Sequence, residues 1–433
     1  MSNKIQNLMK TYFNFNPLII FLPYLIIFIC IVIRYSSDQW GGDEARYYAF
    51  SKNLLKGFYS LPAPNINLWN GPGYPLYLLP FVWLDTPLII IKLSNAVLQY
   101  LSIVLLFLAI KKYTSTQIAF FFSIFWASYY ISYQELFLIM TEPLTSFLSA
   151  LIVYLVACES RTDLPKWKYP ILLGITIGFL TLTKIIFGYV LILLTIAYSI
   201  SSLIYKKNKI GHRSTFIFFL AILLNGPYLI YTYNLTGKFF YWGNSGGNAL
   251  YWMSTPIEGE FGEWNNTTFT ANCGHDIKIP CNSDQFSVHH KQEIENILQL
   301  PIIEQDDEFK KIAINNIINN PVKYLRNIIS NISRLFFGIP NSYFYQREQT
   351  IWRILPNSII LSLFIFSLIV TTINYRLLPP EIRLVVGLIM LYLIFSSLVS
   401  AYPRQFYVAV PLMFFWFAYI FDKSIKFRLR FDK

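Results

Sequence analysis

Apolar runs long enough to cross a bilayer recur through this chain, and they constrain its fold more than any other feature. They cover residues 17–33, 87–110, 117–133, 142–158, 169–183, 185–205, 214–233, 354–374, 384–401 and 406–421. About 17–25 helical residues cross roughly 30 Å of hydrocarbon, where no water is present to satisfy an open backbone. The pattern predicts an all-α polytopic membrane protein with about ten transmembrane helices. The run at 169–183 is short, and 74–84 is too short to span, so the latter reads as a half-buried segment at the membrane surface. Charged residues make up 13% of the chain and hydrophobic ones 55%, against about 25% charged in soluble domains. A soluble globule and a disordered chain are thereby excluded, and 4 cysteines in 433 residues exclude a disulfide scaffold. The net charge of +12 leaves two readings, a nucleic-acid binder or basic loops gathered on one side of a bilayer.

The distribution of Lys and Arg decides between them. Basic clusters occur at Lys4 and Lys10, at Lys111 and Lys112, and at Arg161, Lys166 and Lys168. They recur at Lys206, Lys207, Lys209 and Arg213, at Arg376 and Arg383, and in the tail from Lys423 through Lys426, Arg428 and Arg430 to Lys433. All of these follow alternate spans, as the positive-inside rule requires. Both termini are then cytoplasmic in a plasma or inner membrane, and no nucleic-acid partner is needed. No small-residue cleavage site follows the first run, which reads as a retained helix rather than a signal peptide.

On this reading residues 1–233 form an N-terminal transmembrane part with a first outside loop at 35–73. Residues 234–353 form a large, mixed extracytoplasmic loop domain, and 354–433 the last helices and a basic cytoplasmic tail. The large loop is rich in Gly, Asn, Tyr and Trp early and turns helical late, over 307–337. Neither an internal repeat nor the inverted repeat of many transporters is visible.

Cys30 and Cys158 lie in apolar runs, where a thiol packs as a small hydrophobe. Cys273 and Cys281 close the sequence CGHDIKIPC in the large loop and suit a local disulfide in an oxidising compartment. His275, His289 and His290 raise the question of zinc, but no familiar metal spacing is present. The sequons at Asn234, Asn265, Asn266 and Asn331 matter only in a host that glycosylates such proteins.

The unusual polar residues gather at the outside ends of the runs. GGDEARYYAFSKNLLKG, at 41–57, places Tyr47, Phe50, Leu54 and Phe58 at helical spacing and Gly57 at the stop. This is an amphipathic interfacial helix with Asp43 at its start. Asp43 has two readings there, an N-cap that accepts a backbone N–H or a general base facing a lipid-borne substrate. Glu44 suits the positive end of the helix dipole. Glu142, in Thr-Glu-Pro, opens another span as an ordinary helix start. Lys184 sits between two apolar runs and Arg404 between the last two, each either snorkelling or binding an anion. Together they place Asp43, Glu44, Glu142, Lys184 and Arg404 at one depth. A headgroup phosphate needs such cations, and a hydroxyl nucleophile beside it needs a base. The three carboxylates are also of the kind that hold a divalent cation, and the sequence leaves that open.

GDEARYYAFSKNLLKG followed by NGPGYPLYLLP resembles the first outer loop of the GT-C membrane glycosyltransferases. The branch it is most similar to is that of protein O-mannosyltransferases and lipid A aminoarabinose transferases. The resemblance continues through TEPLTSFL, GITIGFLTLTK, GKFFYWGNSGGNALYWMSTP, NNPVKYL and PRQFYVAVP, in the family's order. It implies an inverting hexosyl- or pentosyltransferase that takes sugar from a polyprenyl-phosphate carrier and gives it to a glycan, lipid or protein acceptor outside. Asp43 is then the counterpart of the catalytic aspartate and Glu44 of its acidic partner. Arg46, Tyr47, Tyr74, Glu142, Lys184 and Arg404 fall on substrate-binding positions, with no certain cofactor. Asn70 and Gly71 stand where the lipid A branch has a Lys, which leaves the phosphate to Lys184 and Arg404. Residues 258–308 match no part of the family and are the candidate region for acceptor choice. The rival reading is a transporter or lipid flippase, which would place ionisable residues at mid-bilayer rather than at the rim.

Overall fold

The computed structural model describes residues 16–159, 167–204, 209–265, 283–343 and 349–424. Among them there are helices and no strands, and the described part of the large loop mixes helices with irregular stretches at 237–245 and 254–265. The helices are α1 (Leu22–Tyr35), α2 (Glu44–Leu55), α3 (Gly73–Trp83), α4 (Leu88–Lys111), α5 (Thr116–Ala127), α6 (Glu142–Glu159), α7 (Lys168–Thr183) and α8 (Ile186–Ile204). They continue as α9 (Lys209–Thr236), α10 (Gly246–Met253), α11 (Ser283–Leu298), α12 (Ile302–Asn319), α13 (Pro321–Phe337), α14 (Gln349–Ile373), α15 (Pro380–Leu398) and α16 (Val410–Ser424).

The chain is an all-α polytopic membrane protein, and a helix forms on each apolar run. Among the described residues, 6 helices are long and apolar enough to cross a membrane: α4, α6, α8, α9, α14 and α15. Two others, on the first run and on the run at 117–133, are shorter than their runs for local reasons. The first run breaks at Phe21, because Pro17 opens a single turn, Pro17–Ile20, and Pro23 sits in the first turn of α1. The run at 117–133 stops at Ala127, whose carbonyl accepts the Tyr133 hydroxyl at 2.5 Å. A tight turn, Tyr130–Glu135, follows.

Close helix approach replaces hydrophobic drive between spans. A Cβ on Gly174 would lie 3.0 Å from the Ile217 carbonyl, and one on Gly178 2.8 Å from a Leu224 methyl. The two glycines, four apart on α7, let α9 pack directly on it, the small-xxx-small arrangement of membrane helices. Asn225 on α9 seals the contact by donating to the carbonyls of Gly178 at 3.2 Å and Ala221 at 2.7 Å. Lys92, inside a span, is buried and donates to the Ser37 carbonyl at 2.6 Å. Cys158 is buried as expected, whereas Cys30 is exposed on the outer face of α1.

A second, smaller core (Tyr251, Trp252, Phe286, Ile294, Ile297, Phe309 and Tyr343) joins α10, α11 and α12. At its edge His289 Nδ1 and His290 Nε2 lie 2.9 and 3.0 Å from Glu260 Oε1, and Thr255 and Tyr343 donate to the same carboxylate. Burial opposes the charge on Glu260. The hydrogen bond and charge of His290, with the hydroxyls of Thr255 and Tyr343, outweigh it and hold the carboxyl at about 2. A folded-state value below the unfolded one stabilises fully above about pH 4.5 and is lost as pH falls toward 2. Acid unfolding of this region in nanodiscs is expected to lose roughly 3 kcal/mol over that window, and Glu260→Gln should flatten the pH dependence there. Cys273, Cys281 and His275 lie outside the described residues. The Asn331 sequon is fully buried, so its amide is not open to a glycan in the folded protein.

Candidate active site

Helix α2 begins where the sequence places it, but its N-terminus is held differently. Asp43 occupies the cap position with helical backbone angles and makes no capping hydrogen bond. Glu44 serves the chain start instead, accepting from the Gly41 N–H at 2.7 Å and the Ile139 N–H at 2.6 Å. Buried at 1% exposure, Glu44 staples the first loop to the segment before α6 and does not line the cavity described below. Asp43 is left to the cations. Its Oδ1 accepts from Arg46, one helical turn along, and its Oδ2 from Arg404 at 2.9 Å.

Arg404 comes from the far end of the chain, on the single turn Pro403–Phe406 between α15 and α16. Burial opposes its charge, and Glu142 and Asp43 more than restore it, holding the guanidinium above its ordinary range. Lys184 ends α7 in extended conformation (φ −124°, ψ 94°), which breaks the apolar stretch into α7 and α8. Its Nζ donates to Glu142 Oε1 at 2.8 Å, and Arg404 Nε lies 3.9 Å from the same oxygen. Lys184 is therefore paired rather than snorkelling. At 2% side-chain exposure, Glu142 is a buried counter-ion between two cations.

The turn after the first loop lies across the end of α7. A Cβ on Gly71 would fall 2.1 Å from the Leu182 carbonyl, so no side chain fits there. That close approach brings Asn70 into the site, where it accepts from Arg46 Nε at 2.6 Å and donates to the Tyr47 hydroxyl at 3.0 Å. Burial first, and then the charges of Asp43 and Glu142, push the Tyr47 phenol up. Tyr74 is fully buried behind it, its ring edge-on to Tyr47 at 5.0 Å.

These groups enclose a cavity of about 190 Å³ lined by Asp43, Tyr47, Lys184 and Arg404, with Trp69, Trp264 and Tyr402 as aromatic walls. Glu142 and Arg46 meet the cavity through their partners, while Glu44 and Tyr74 support it from behind. Sequence reasoning passed over the three aromatic walls, the bonding role of Asn70, and Glu135. Glu135 carried a signal, a lone carboxyl between two apolar runs. Burial, and then the charge of Glu142, push it up to about 7. Among the described residues no three His, Cys, Asp or Glu side chains are grouped to hold a metal ion. The carboxylates of Asp43, Glu44 and Glu142 are each engaged by a cation or a backbone amide.

No protein-family model and no curated protein matches the chain. Solved structures similar to it include the following two. One is ArnT from Cupriavidus metallidurans bound to undecaprenyl phosphate, at 12% identity over 93% of this chain and 77% of that one, with a TM-score of 0.40. The other is the Archaeoglobus fulgidus oligosaccharyltransferase AglB in complex with an inhibitory peptide and a dolichol-phosphate, at 14% identity over 93% of this chain and 50% of that one, with a TM-score of 0.42. The chain thus spans about half the length of the oligosaccharyltransferase.

Proposed function

We propose that the chain is an inverting glycosyltransferase that moves a sugar from a polyprenyl-phosphate carrier to an acceptor hydroxyl or amide on the outer face of the membrane. The supporting observation is convergence: Asp43, Lys184 and Arg404, from three distant segments, line one cavity. In the resting site Arg404 is paired with Asp43 at 2.9 Å and Lys184 with Glu142 at 2.8 Å. An incoming phosphate competes for both cations, and its capture of Arg404 frees a carboxylate oxygen of Asp43.

The chemistry then balances with these residues alone. The acceptor oxygen or nitrogen attacks the anomeric carbon from the face opposite the phosphate, and the bond from that carbon to the phosphate oxygen breaks. The acceptor proton passes to Asp43, and the lipid phosphate keeps the bonding electrons. Attack opposite a single leaving group inverts the anomeric centre, as in inverting hydrolases. Lys184 and Arg404 hold the developing negative charge, a role worth about 3–4 kcal/mol in comparable preorganised sites.

Lys184→Gln and Arg404→Gln test the cation role. Each should lower transfer from a polyprenyl-phosphate sugar by about two orders of magnitude while the protein still inserts. Parental rates in both variants would return the two residues to structural ion pairs.

A further inference from the structure

Helix α13 is amphipathic in the opposite sense to a helix that floats in water. Its inward face carries Lys323, Asn327, Asn331 and Arg334, each hydrogen-bonded to backbone carbonyls, with Leu335 and Phe336 at its end. Lys323 Nζ donates to the Glu260 carbonyl at 2.6 Å and to Asn327 Oδ1 at 2.8 Å. Asn327 Nδ2 donates to the carbonyls of Met253 and Thr255 at 3.0 and 3.1 Å. Arg334 donates to the carbonyls of Phe261 and Pro340 at 3.3 and 2.9 Å. The outward face is a stripe of Val322, Leu325, Ile329 and Ile332, exposed by 62, 59, 69 and 42%. Ile318, at the end of α12 and 70% exposed, prolongs it. A stripe of this length in water is an association surface, so something covers it.

Three observations identify the cover. The first is height. Tyr324 donates its hydroxyl proton to the Leu398 carbonyl at 2.8 Å, and Asn331 Nδ2 donates to the carbonyls of Ser396, Ser397 and Val399. These carbonyls end the spanning helix α15, which fixes α13 where that helix leaves the hydrocarbon. The second is continuity. The spanning helix α14, which packs on α13, exposes Ile351, Trp352 and Leu355 in its opening turns by 65, 69 and 72%. The third is the flank. Arg326, 67% exposed and 3.6 Å from the exposed carboxylate of Glu258, stands beside the stripe, where its guanidinium is also within reach of headgroup phosphates.

We infer that α13 lies in the plane of the bilayer, with its apolar stripe sunk into the acyl boundary of the leaflet on the active-site side and its polar face carrying the loop domain. This is the arrangement of an interfacial amphipathic helix, and it gives the polar face a second consequence. Through Lys323, Asn327 and Arg334 the helix holds the backbone of 253–261, which leads into Trp264 of the cavity wall. Through Asn331, whose Oδ1 accepts from the Ala401 N–H at 3.2 Å, it holds the segment that carries Arg404. The cavity is hung from a membrane-seated beam.

The test uses the full chain reconstituted in liposomes of phosphatidylethanolamine and phosphatidylglycerol. The photo-crosslinker p-benzoylphenylalanine is placed at position 329, at 325 in a second variant, and at Lys311, an exposed polar position of α12, as reference. Irradiation followed by intact-mass spectrometry should give phospholipid adducts at 329 and 325 and none at 311. A cross-linked dimer at 329 or 325 would assign the stripe to a second copy of the chain and overturn the proposal. Absence of any adduct there, in folded protein, would assign it to water with the same result. Neither readout involves sugar transfer, so the outcome is independent of the proposed activity.

Discussion

Asp43→Asn is expected to reduce transfer by about two to four orders of magnitude, the usual contribution of a positioned general base, with little change in stability. Asn keeps the shape of Asp and its Oδ1 accepts from one of Arg46 and Arg404, but its Nδ2 cannot accept from the other, and it cannot take a proton at neutral pH. Asp43→Ala separates this role from helix capping. If the carboxylate capped α2, Ala would cost about 1 kcal/mol more than Asn, which caps as well as Asp does. Since Asp43 makes no capping bond, Ala and Asn should be equally inactive and close in thermal stability, apart from the salt-bridge contribution they both lose. The measurement is single-turnover transfer from a polyprenyl-phosphate sugar beside thermal unfolding in the same detergent. Near-parental turnover in Asp43→Asn would remove the residue from the mechanism.

The largest stability loss is expected at Asn331. Its side chain is fully buried and accepts from Ala401 N–H and Arg334 while donating to the three carbonyls that end α15. Leucine has the same branched heavy-atom skeleton but satisfies none of these groups. Each buried group left without a partner costs about 1–3 kcal/mol, so Asn331→Leu should lose at least about 3 kcal/mol even with partial relaxation. Transfer should fall as well, because Ala401 leads directly into Arg404. Chemical denaturation in nanodiscs measures the first effect. Parental stability would show that α13 and α15 hold together without this side chain.

The spans were legible in the sequence because the cost of placing an apolar run in lipid or water is a property of the run itself. The break at Lys184, the start of α2 at Asp43 and the helical character of 307–337 were legible for the same reason, since each depends on neighbours within a turn or two. Helix ends were less so. Ala127 ends α5 because the Tyr133 hydroxyl takes its carbonyl, and Pro17 and Pro23 divide the first run, details that hydropathy does not weigh.

The site was legible as a set of charges at one depth, and no further. That Asp43 pairs with Arg404 rather than capping its own helix required 361 residues of chain to return to the same place. Glu44 looked like a catalytic partner in the motif, but tertiary contact gave it to the backbone of Ile139. Asn70 entered the site only because Gly71 lets the turn press against Leu182. The sequence of 307–337 likewise read as helical without showing which face of α13 turns inward. That was decided by carbonyls at 253–261 and 396–399, which could be satisfied from the polar face alone. Local transfer energies are written in the order of residues, whereas the partner of each buried charge and amide is set by which distant backbone groups the fold leaves unsatisfied beside it.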